Sequence, residues 1–189
     1  FDIVFVHSAG DAELLSKAGH RNVIVIPHGF QKANGTRKER GGVFTIGTFG
    51  FLFKHKNIDL LVAAVSHLRT LVGDEVRLLL LNCATDAVQS LEAQRQTEFV
   101  IDALGMRNYV EVDYSFLPEE EIISRLSDCD LLVFPYGDSS ETATGAVRVA
   151  LLASAPILCS SSPVLNDLAG ISHQIKDLSV SSLAEAMAV

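Results

Sequence analysis

The most informative feature of this sequence is a run of almost purely apolar residues, VRLLLLNC, at positions 76–83. A strand with one buried face alternates apolar and polar residues, whereas a strand buried on both faces is apolar at consecutive positions. Strands of the second kind belong to parallel sheets that helices cover on each side. The run therefore predicts a parallel α/β sheet.

Strand and helix patterns alternate regularly from residue 43 to residue 189. Predicted strands lie at 43–50, 76–83, 109–114, 130–136, 155–161 and 172–177. Predicted helices lie at 57–72, 86–104, 118–129, 143–154, 162–169 and 179–189. Since crossovers between parallel strands are right-handed, this order predicts an open, doubly wound, Rossmann-like α/β domain. Ligands of such domains bind beyond the carboxyl ends of the strands, so the loops at those ends are the candidates for function.

The chain divides into three regions by composition. Residues 1–30 contain a strand pattern, FDIVFVHS, a short helix pattern, DAELLSKAG, and a second strand pattern, NVIVIPHGF. Residues 31–42 are polar, basic and rich in glycine, which predicts a surface loop or linker. Residues 43–189 form the predicted doubly wound domain. Because the sequence begins at Phe1 and its last helix pattern stops at Val189, we expect a piece of a longer protein with the final helix truncated.

Charge and motif content argue against several classes of function. The formal net charge of −8 disfavours nonspecific binding to nucleic acid or to an anionic membrane surface. No apolar run approaches the length that spans a bilayer. The histidines show no HExxH or Cys/His metal-binding spacing, and no GxSxG nucleophile motif is present. The three cysteines lie far apart, in or beside apolar runs, which favours reduced thiols packed in a core and a reducing compartment.

The loop GTFGFLFKHKN at 47–57 is the first candidate for ligand binding. Its glycines follow a strand, and Lys54 and Lys56 precede a helix that starts near Asn57. Glycine lets a ligand approach the backbone, and a helix N-terminus with nearby lysines attracts anions such as a diphosphate. The loop matches neither the P-loop nor the GxGxxG fingerprint, so a solvated turn with two surface lysines remains the alternative.

A second candidate loop precedes the helix pattern at 143–154. The backbone N–H groups of residues 142–146 are candidates to hold phosphate or sugar oxygens, because the first turn of a helix has no intrahelical acceptor for them. The carboxylate of Glu141 is a candidate to accept hydrogen bonds from sugar hydroxyls. The alternative is that Glu141 only stabilises the helix dipole.

Two further loops carry weaker signals. His28, next to Gly29, is a candidate general base or ligand, although a histidine in a turn is more often simply hydrogen-bonded. Ser115, Phe116 and Leu117 form a candidate nucleobase slot, while the acidic run after them is typical of the first turn of a helix.

Four segments, in order, resemble the C-terminal half of GT-B glycosyltransferases, and the resemblance covers nearly the whole chain. FDIVFVHSAGDAELLSKAG resembles the last strand and helix of their N-terminal domain. VIVIPHGF resembles the vipnGvd crossing into the donor domain. FGFLFKHKNIDLLVAAVSHL resembles vGrl…KGxdxLlxA, and LSDCDLLVFPYGDSSETATGAVRVALLASAPILCSS resembles aDvfvlPS…E-x7-E-A-x-A-x-G-x-P-v. The family-4 group of retaining enzymes (glycosyl transferases group 1) is the most similar.

The resemblance implies a diphosphate contact in the loop at 47–57. Lys56 matches the lysine that contacts the donor diphosphate, and Gly50 matches the glycine of that loop. The arginine that usually follows this glycine is Phe51 here, so one cation is missing. Lys54 is the candidate substitute for it.

The resemblance also implies contacts in the later loop. Glu141 matches the first glutamate of E-x7-E, which contacts the donor sugar, and the backbone of Thr144, Gly145 and Ala146 matches the helix entry beneath the phosphates. The second glutamate, which holds the ribose hydroxyls, falls on Val149. Valine accepts no hydrogen bond, so the resemblance implies a weaker or different hold on the ribose.

As a whole, the resemblance implies the nucleotide-sugar-binding half of a retaining glycosyltransferase, with Lys56 and Glu141 as its catalytic side chains. The donor is a UDP- or GDP-linked sugar, and neither a metal nor another cofactor is required. The saccharide or lipid-linked acceptor binds the missing N-terminal domain, so the chain alone is expected to bind nucleotide weakly and to catalyse little. The implied setting is polysaccharide assembly in the cytoplasm, with peripheral contact to the inner membrane through the missing part as an option.

Two other functions remain open for the same fold. A nucleotide-sugar epimerase needs acid–base residues near the anomeric carbon, for which His28 and His173 are the candidates. A non-catalytic nucleotide-sugar-binding domain fits the loss of the arginine at Phe51 and of the glutamate at Val149.

Overall fold

A computed structural model describes residues 2–27, 29, 42–73, 75–139, 141 and 144–188 of the chain. The first of these ranges holds strand β1 (Val4–Val6), helix α1 (Ala9–Lys17) and strand β2 (Val23–Val25). The two strands pair in parallel in a sheet of their own. Helix α1 begins after Ser8, whose hydroxyl caps it by accepting a hydrogen bond from the N–H of Asp11.

The other strands form one six-stranded parallel sheet. They are β3 (Phe44–Phe51), β4 (Val76–Cys83), β5 (Val110–Asp113), β6 (Leu131–Phe134), β7 (Ile157–Ser160) and β8 (His173–Ile175). The helices are α2 (Ile58–Val72), α3 (Val88–Ala103), α4 (Glu119–Ser127), α5 (Ala146–Leu151) and α6 (Val180–Met187), with 3-10 helices at Lys54–Lys56 and Pro163–Leu168. The strand order is β5-β4-β3-β6-β7-β8, so the chain changes direction across the sheet between β3 and β6. This switch point is where doubly wound domains bind their ligands.

Strand β4 is buried on both faces of the sheet, as its sequence predicts. Leu78 and Leu80 belong to one core cluster, together with side chains of α2, α3 and α6. Leu79 and Leu81 belong to a second cluster, together with side chains of α4 and α5. All four leucines are at most 7% exposed. The predicted doubly wound, Rossmann-like parallel α/β fold is therefore confirmed.

The helix predicted at 143–154 is shorter than expected, because α5 covers only Ala146–Leu151. After α5 the chain tightens into a turn, in which the N–H groups of Ala153 and Ser154 bond to carbonyls three residues back. Ser154 adopts a φ of 56°, in the left-handed region, and this ends the helical path before Pro156. The short helix predicted at 162–169 is a 3-10 helix.

Some predictions concern residues outside the described ranges. They include Phe1, His28 and Phe30 of the first region, residues 31–41 of the linker, residues 142 and 143 of the second candidate loop, and Val189 of the predicted last helix. The division into a crossing region at 1–30 and a donor domain at 43–189 stays a prediction. Within the described ranges, no helix has the length and apolar character needed to cross a bilayer.

Gly47 on β3 packs directly against the segment that follows α4. A Cβ at this position would lie 2.5 Å from the Sγ of Cys129 and 3.0 Å from Cδ2 of Leu132. We expect Gly47→Ala to lower the free energy of unfolding by about 1–3 kcal/mol, because the buried strand has little room to shift. Urea unfolding followed by circular dichroism measures this change. The control is Gly170→Ala, whose new Cβ meets no atom within 4 Å, and an equal loss in both variants would contradict the prediction.

Candidate functional site

A cavity of about 780 Å³ opens at the carboxyl end of the six-stranded sheet. Its wall includes the ends of β3 and β4, the loops that follow β5 and β6, and parts of α4 and α5. Its position is next to the switch point between β3 and β6, and its volume is in the range of small-molecule sites. The cavity is therefore the candidate functional site.

Of the predicted binding residues that the structure describes, the cavity brings together all except Lys54. Those in its wall are Gly50, Phe51, Lys56, Ser115, Phe116, Leu117, Glu141, Thr144, Gly145, Ala146 and Val149. Lys54 lies outside the wall and is exposed to solvent. Its position does not support the expectation that it replaces the missing arginine. The binding roles of the other residues stay predictions.

Lys56 and Glu141 form an ion pair in the cavity wall. The Nζ of Lys56 donates a hydrogen bond of 2.6 Å to Oε2 of Glu141, although the two residues are 85 positions apart. The ammonium group also lies 3.9 Å from the centroid of the Tyr136 ring, within the range of a cation–π interaction. Lys56 is only 5% exposed, so water screens its interactions weakly.

Burial and pairing act on these two charges in different ways. Burial lowers the pKa of Lys56, and the Glu141 carboxylate offsets only part of that effect. Burial by itself raises the pKa of Glu141, but the interactions with Lys56 and, to a smaller extent, with His55 together outweigh it and lower the pKa overall. Glu141 is therefore ionised at neutral pH. Because one carboxylate does not fully compensate the buried ammonium group, an anionic ligand beside Lys56 would stabilise its charged form further.

The 3-10 helix Lys54–Lys56 is fastened to the segment after β6 by two hydrogen bonds. The N–H of Gly137 donates to the carbonyl of His55 at 2.7 Å, and Nδ2 of Asn57 donates to the carbonyl of Pro135 at 2.8 Å. Asn57 has a φ of 52° and stands between the 3-10 helix and α2, in a left-handed conformation that asparagine tolerates. These bonds fix Lys56 relative to the segment that leads to Glu141.

Gly50 allows the end of β3 to approach the start of α5. Its φ is 138°, and a Cβ at this position would lie 3.1 Å from the Cβ of Ala146. Only glycine adopts this backbone conformation without strain. The two segments with predicted phosphate contacts are therefore adjacent parts of one wall.

The loop Ser115–Leu117 is held by Asp113 at the end of β5. Ser115 donates to Oδ1 of Asp113 from its backbone N–H at 3.0 Å and from its hydroxyl at 2.5 Å. Arg125 donates to Oδ2 of Asp113 at 2.6 Å. The hydrogen bonds from Ser115 and then from Arg125 lower the pKa of Asp113 to about 2. The candidate nucleobase loop is thus anchored by a carboxylate that is ionised at neutral pH.

An aromatic pair forms the part of the cavity wall where the resemblance places an arginine. The rings of Phe51 and Phe116 stack with centroids 6.4 Å apart and planes inclined by 26°. Phe51 is 47% exposed and Phe116 is 78% exposed. This part of the wall is flat and apolar, so it suits a planar ring better than a second anionic group.

No model of a known protein family and no curated protein matches this sequence, so the comparison with known proteins rests on structure. HepE from Anabaena aligns with 98% of this chain at a TM-score of 0.76 and 17% identity. The trehalose-phosphate synthase of Burkholderia xenovorans aligns with 78% of it at a TM-score of 0.68 and 13% identity. The C-terminal domain of the group 1 glycosyl transferase LpcC from Francisella tularensis aligns with 77% of it at a TM-score of 0.64 and 14% identity. The fold is that of a GT-B glycosyltransferase domain.

This chain spans about half or less of two of these structural neighbours. It spans 52% of the HepE chain and 36% of the trehalose-phosphate synthase chain, and it spans 74% of the LpcC domain. At such low sequence identity, the likeness establishes the fold and leaves the activity to be argued from the site.

Within the GT-B fold, the structure adds cavity residues that the sequence did not reveal. Arg148 lines the cavity although it is 5% exposed, and its Nη1 donates to the carbonyl of Thr144 at 2.5 Å. Leu81, Cys83 and Ile122 make a further part of the wall apolar. The only sequence signal for Cys83 is its position at the end of a predicted strand, and no local signal identifies the others.

The cavity wall is apolar at the position where the GT-B resemblance expects a ribose contact. Val149 lies in the wall, half-buried, and it supplies no hydrogen-bond acceptor from its side chain. His173, an acid–base candidate of the epimerase alternative, is exposed on β8 and does not line this cavity. Among the residues that the structure describes, no three histidine, cysteine, aspartate or glutamate side chains are grouped as metal ligands.

Proposed function

We propose that this chain is the C-terminal, nucleotide-sugar-binding half of a retaining glycosyltransferase related to family 4. The observation that most supports this function is the Lys56–Glu141 ion pair in the cavity at the switch point of the sheet. A buried cation beside a carboxylate suits a ligand in which a diphosphate is joined to a sugar. The proposed donor is a UDP- or GDP-linked sugar.

Lys56 has the hydrogen-bonding capacity to bind a diphosphate while it remains paired. An ammonium group has three N–H donors. Glu141 takes one of them and the face of the Tyr136 ring a second, which leaves one for a phosphate oxygen. When the bond between the anomeric carbon and the diphosphate breaks, negative charge grows on the leaving diphosphate, and the buried ammonium group stabilises it. Glu141 accepts hydrogen bonds from hydroxyls of the sugar.

The start of α5 contributes the second part of the proposed phosphate site. Thr144, Gly145 and Ala146 line the same cavity as Lys56. N–H groups in the first turn of a helix have no intrahelical acceptor, so they are available to a ligand. This supports a role for the backbone of these three residues beneath the phosphates.

Two neighbours of the fold support a nucleotide-sugar ligand and the C-terminal assignment. Anabaena HepE has been solved with UDP and glucose, and also with UDP-glucose, and 98% of this chain aligns with it in both cases. The LpcC structure is itself the C-terminal domain of a group 1 glycosyl transferase. The proposed reaction needs no metal or other cofactor.

We propose that residues 2–27 belong to the half of the enzyme that binds the acceptor. Helix α1 has no buried residue, and Phe5, Leu14 and Ile24 are exposed. A two-stranded sheet is only marginally stable by itself, so a further part of the protein is expected to cover these side chains. A saccharide or lipid-linked acceptor would bind to that further part of the protein. This chain by itself therefore binds the donor and transfers little. The proposed setting is polysaccharide assembly in the cytoplasm, with peripheral contact to the inner membrane through the missing part as an option.

A non-catalytic nucleotide-sugar-binding domain is the second candidate. Phe51 and Val149 favour it, because each places an apolar side chain where the resemblance expects a polar contact to the donor. Turnover of a nucleotide sugar by the full-length protein distinguishes the two candidates.

Calorimetric titration of the chain with UDP, GDP, UDP-glucose and GDP-mannose tests the proposed function. We expect one nucleotide and its sugar derivative to bind with Kd values of roughly 10 µM to 1 mM, weakly because the ribose lacks a carboxylate partner. Glucose 1-phosphate, which has a sugar and a phosphate but no base, is the control and should bind more weakly. If none of the four ligands binds at millimolar concentration, the proposal is wrong.

A further inference from the structure

Glu141 has a second close neighbour besides Lys56, and this neighbour is His55. We infer that His55 is a positioning residue that fixes the orientation of the Glu141 carboxylate toward the sugar of the donor. The inference rests on the proposed function and deepens it. His55 does not itself line the cavity, so it acts through Glu141.

The two neighbours face the carboxylate at both of its oxygens. Nε2 of His55 lies 3.1 Å from Oε1 of Glu141, and Nζ of Lys56 lies 2.6 Å from Oε2. Because both contacts come from consecutive residues of one 3-10 helix, a large rotation of the carboxylate would break at least one of them. A carboxylate oxygen has two lone pairs, so each oxygen keeps one for a sugar hydroxyl.

The imidazole ring of His55 is held in place by two aromatic neighbours. It lies nearly parallel to the Phe53 ring, with centroids 6.0 Å apart and planes inclined by 11°. The Tyr136 ring meets it edge-on, at 6.5 Å and 82°. The hydrogen bond from Gly137 to the His55 carbonyl fixes the backbone as well. Nε2 therefore stays beside Glu141 without help from a ligand.

The charge state of His55 suits this role. Its Nε2 is buried and, within the described part of the chain, makes no hydrogen bond of good geometry, so the Glu141 oxygen is the polar atom it faces. Hydrogen bonds of unliganded sites are often poorly aligned and tighten when the ligand binds, so a small rotation of the carboxylate would align this contact. Burial and then the charge of Lys56 lower the pKa of His55, so the imidazole is neutral at pH 7. A neutral N–H group orients the carboxylate without neutralising it. The negative charge of the carboxylate therefore stays available to the ammonium group of Lys56 and to the hydroxyls of the nucleotide sugar.

Titration of His55 variants with a nucleotide and with its sugar derivative tests this role. The readout is the ratio of the two affinities, for UDP-glucose over UDP or GDP-mannose over GDP, whichever pair binds the wild-type chain. His55→Phe keeps the stacked ring but lacks Nε2. We expect it to lower the ratio about fivefold, the effect of one typical hydrogen bond, because His55 acts on the sugar only through Glu141. His55→Gln, whose amide nitrogen can replace Nε2, should restore the ratio to within about twofold. A merely structural effect would change both affinities together and leave the ratio unchanged.

A double variant separates action through Glu141 from a direct effect of His55. Glu141→Ala lowers the ratio by itself, and adding His55→Phe to it should cause no further fall. An unchanged ratio in His55→Phe, or a further fivefold fall in the double variant, would overturn the positioning role and leave the proposed function standing. If neither nucleotide sugar binds the wild-type chain, the proposed function fails, and this inference fails with it.

Discussion

Replacing Lys56 with methionine is expected to weaken binding of the preferred nucleotide sugar about 100-fold. A charge-assisted hydrogen bond contributes roughly 1.5–3 kcal/mol, which is about 10–150-fold in affinity. The upper part of this range applies because the variant also leaves the Glu141 carboxylate without its cation, next to the proposed position of an anionic diphosphate. The fold should persist for two reasons. Methionine keeps an unbranched apolar side chain of similar length against Tyr136. Glu141 is 34% exposed, so its carboxylate stays partly hydrated without Lys56.

Lys54 provides a matched control for this experiment. It lies two positions earlier in the same 3-10 helix, carries the same charge and is outside the cavity wall. Lys54→Met should change the affinity by less than about twofold, because its charge acts through solvent and is screened by salt. Equal losses in the two variants would indicate a nonspecific effect of net charge, and no loss in Lys56→Met would remove this side chain from the site. Calorimetry at fixed ionic strength measures both variants, and circular dichroism checks that they are folded.

The fold was predictable because a few segments allow only one kind of environment. The run Leu78–Leu81 needs apolar cover on both sides, which a parallel sheet between two layers of helices provides. The end of α5 was less predictable. Ser154 adopts a left-handed conformation, which stops that helix. Such backbone angles are uncommon for residues other than glycine, so the sequence does not predict one at a serine.

The candidate site was predictable to the extent that parallel strands bring their carboxyl ends to one edge. The loops after β3, β5 and β6 are distant in sequence, yet all of them line one cavity. Lys54 shows the limit of this reasoning. Residues two apart in a 3-10 helix differ by about 240° in direction, so Lys54 and Lys56 do not face the same side.

Contacts between individual distant side chains could not be read from the sequence. The placement of Tyr136 against Lys56, and of Phe116 against Phe51, depends on how two loops meet after the sheet has formed. His55 is an example with consequences for function, because its neighbours in sequence give no sign that it faces Glu141. Sequence patterns define which loops converge, and the packing of those loops defines which atoms touch.

Introducing a carboxylate at Val149 is expected to strengthen nucleotide binding about tenfold. Val149 lies in the cavity wall, and the resemblance places there a glutamate that accepts hydrogen bonds from the ribose hydroxyls. Such bonds contribute roughly 10–150-fold in affinity. The gain should be at the lower end of this range, because Val149→Glu places a charge in a wall that is partly apolar, and that charge loses part of its hydration.

The sharpest readout for this variant is a comparison of nucleotides with and without the 2′-hydroxyl of the ribose. If the new carboxylate accepts a hydrogen bond from the ribose, the gain for UDP or GDP should shrink several-fold for the matching 2′-deoxynucleotide, since one donor of the vicinal diol is missing. Val149→Leu, which keeps the position apolar, should show no such difference between the two nucleotides. Weaker binding of both nucleotides to Val149→Glu would mean that the ribose lies elsewhere in the cavity. In that case the aromatic pair Phe51–Phe116 would mark a mode of nucleotide binding different from the one that the resemblance implies.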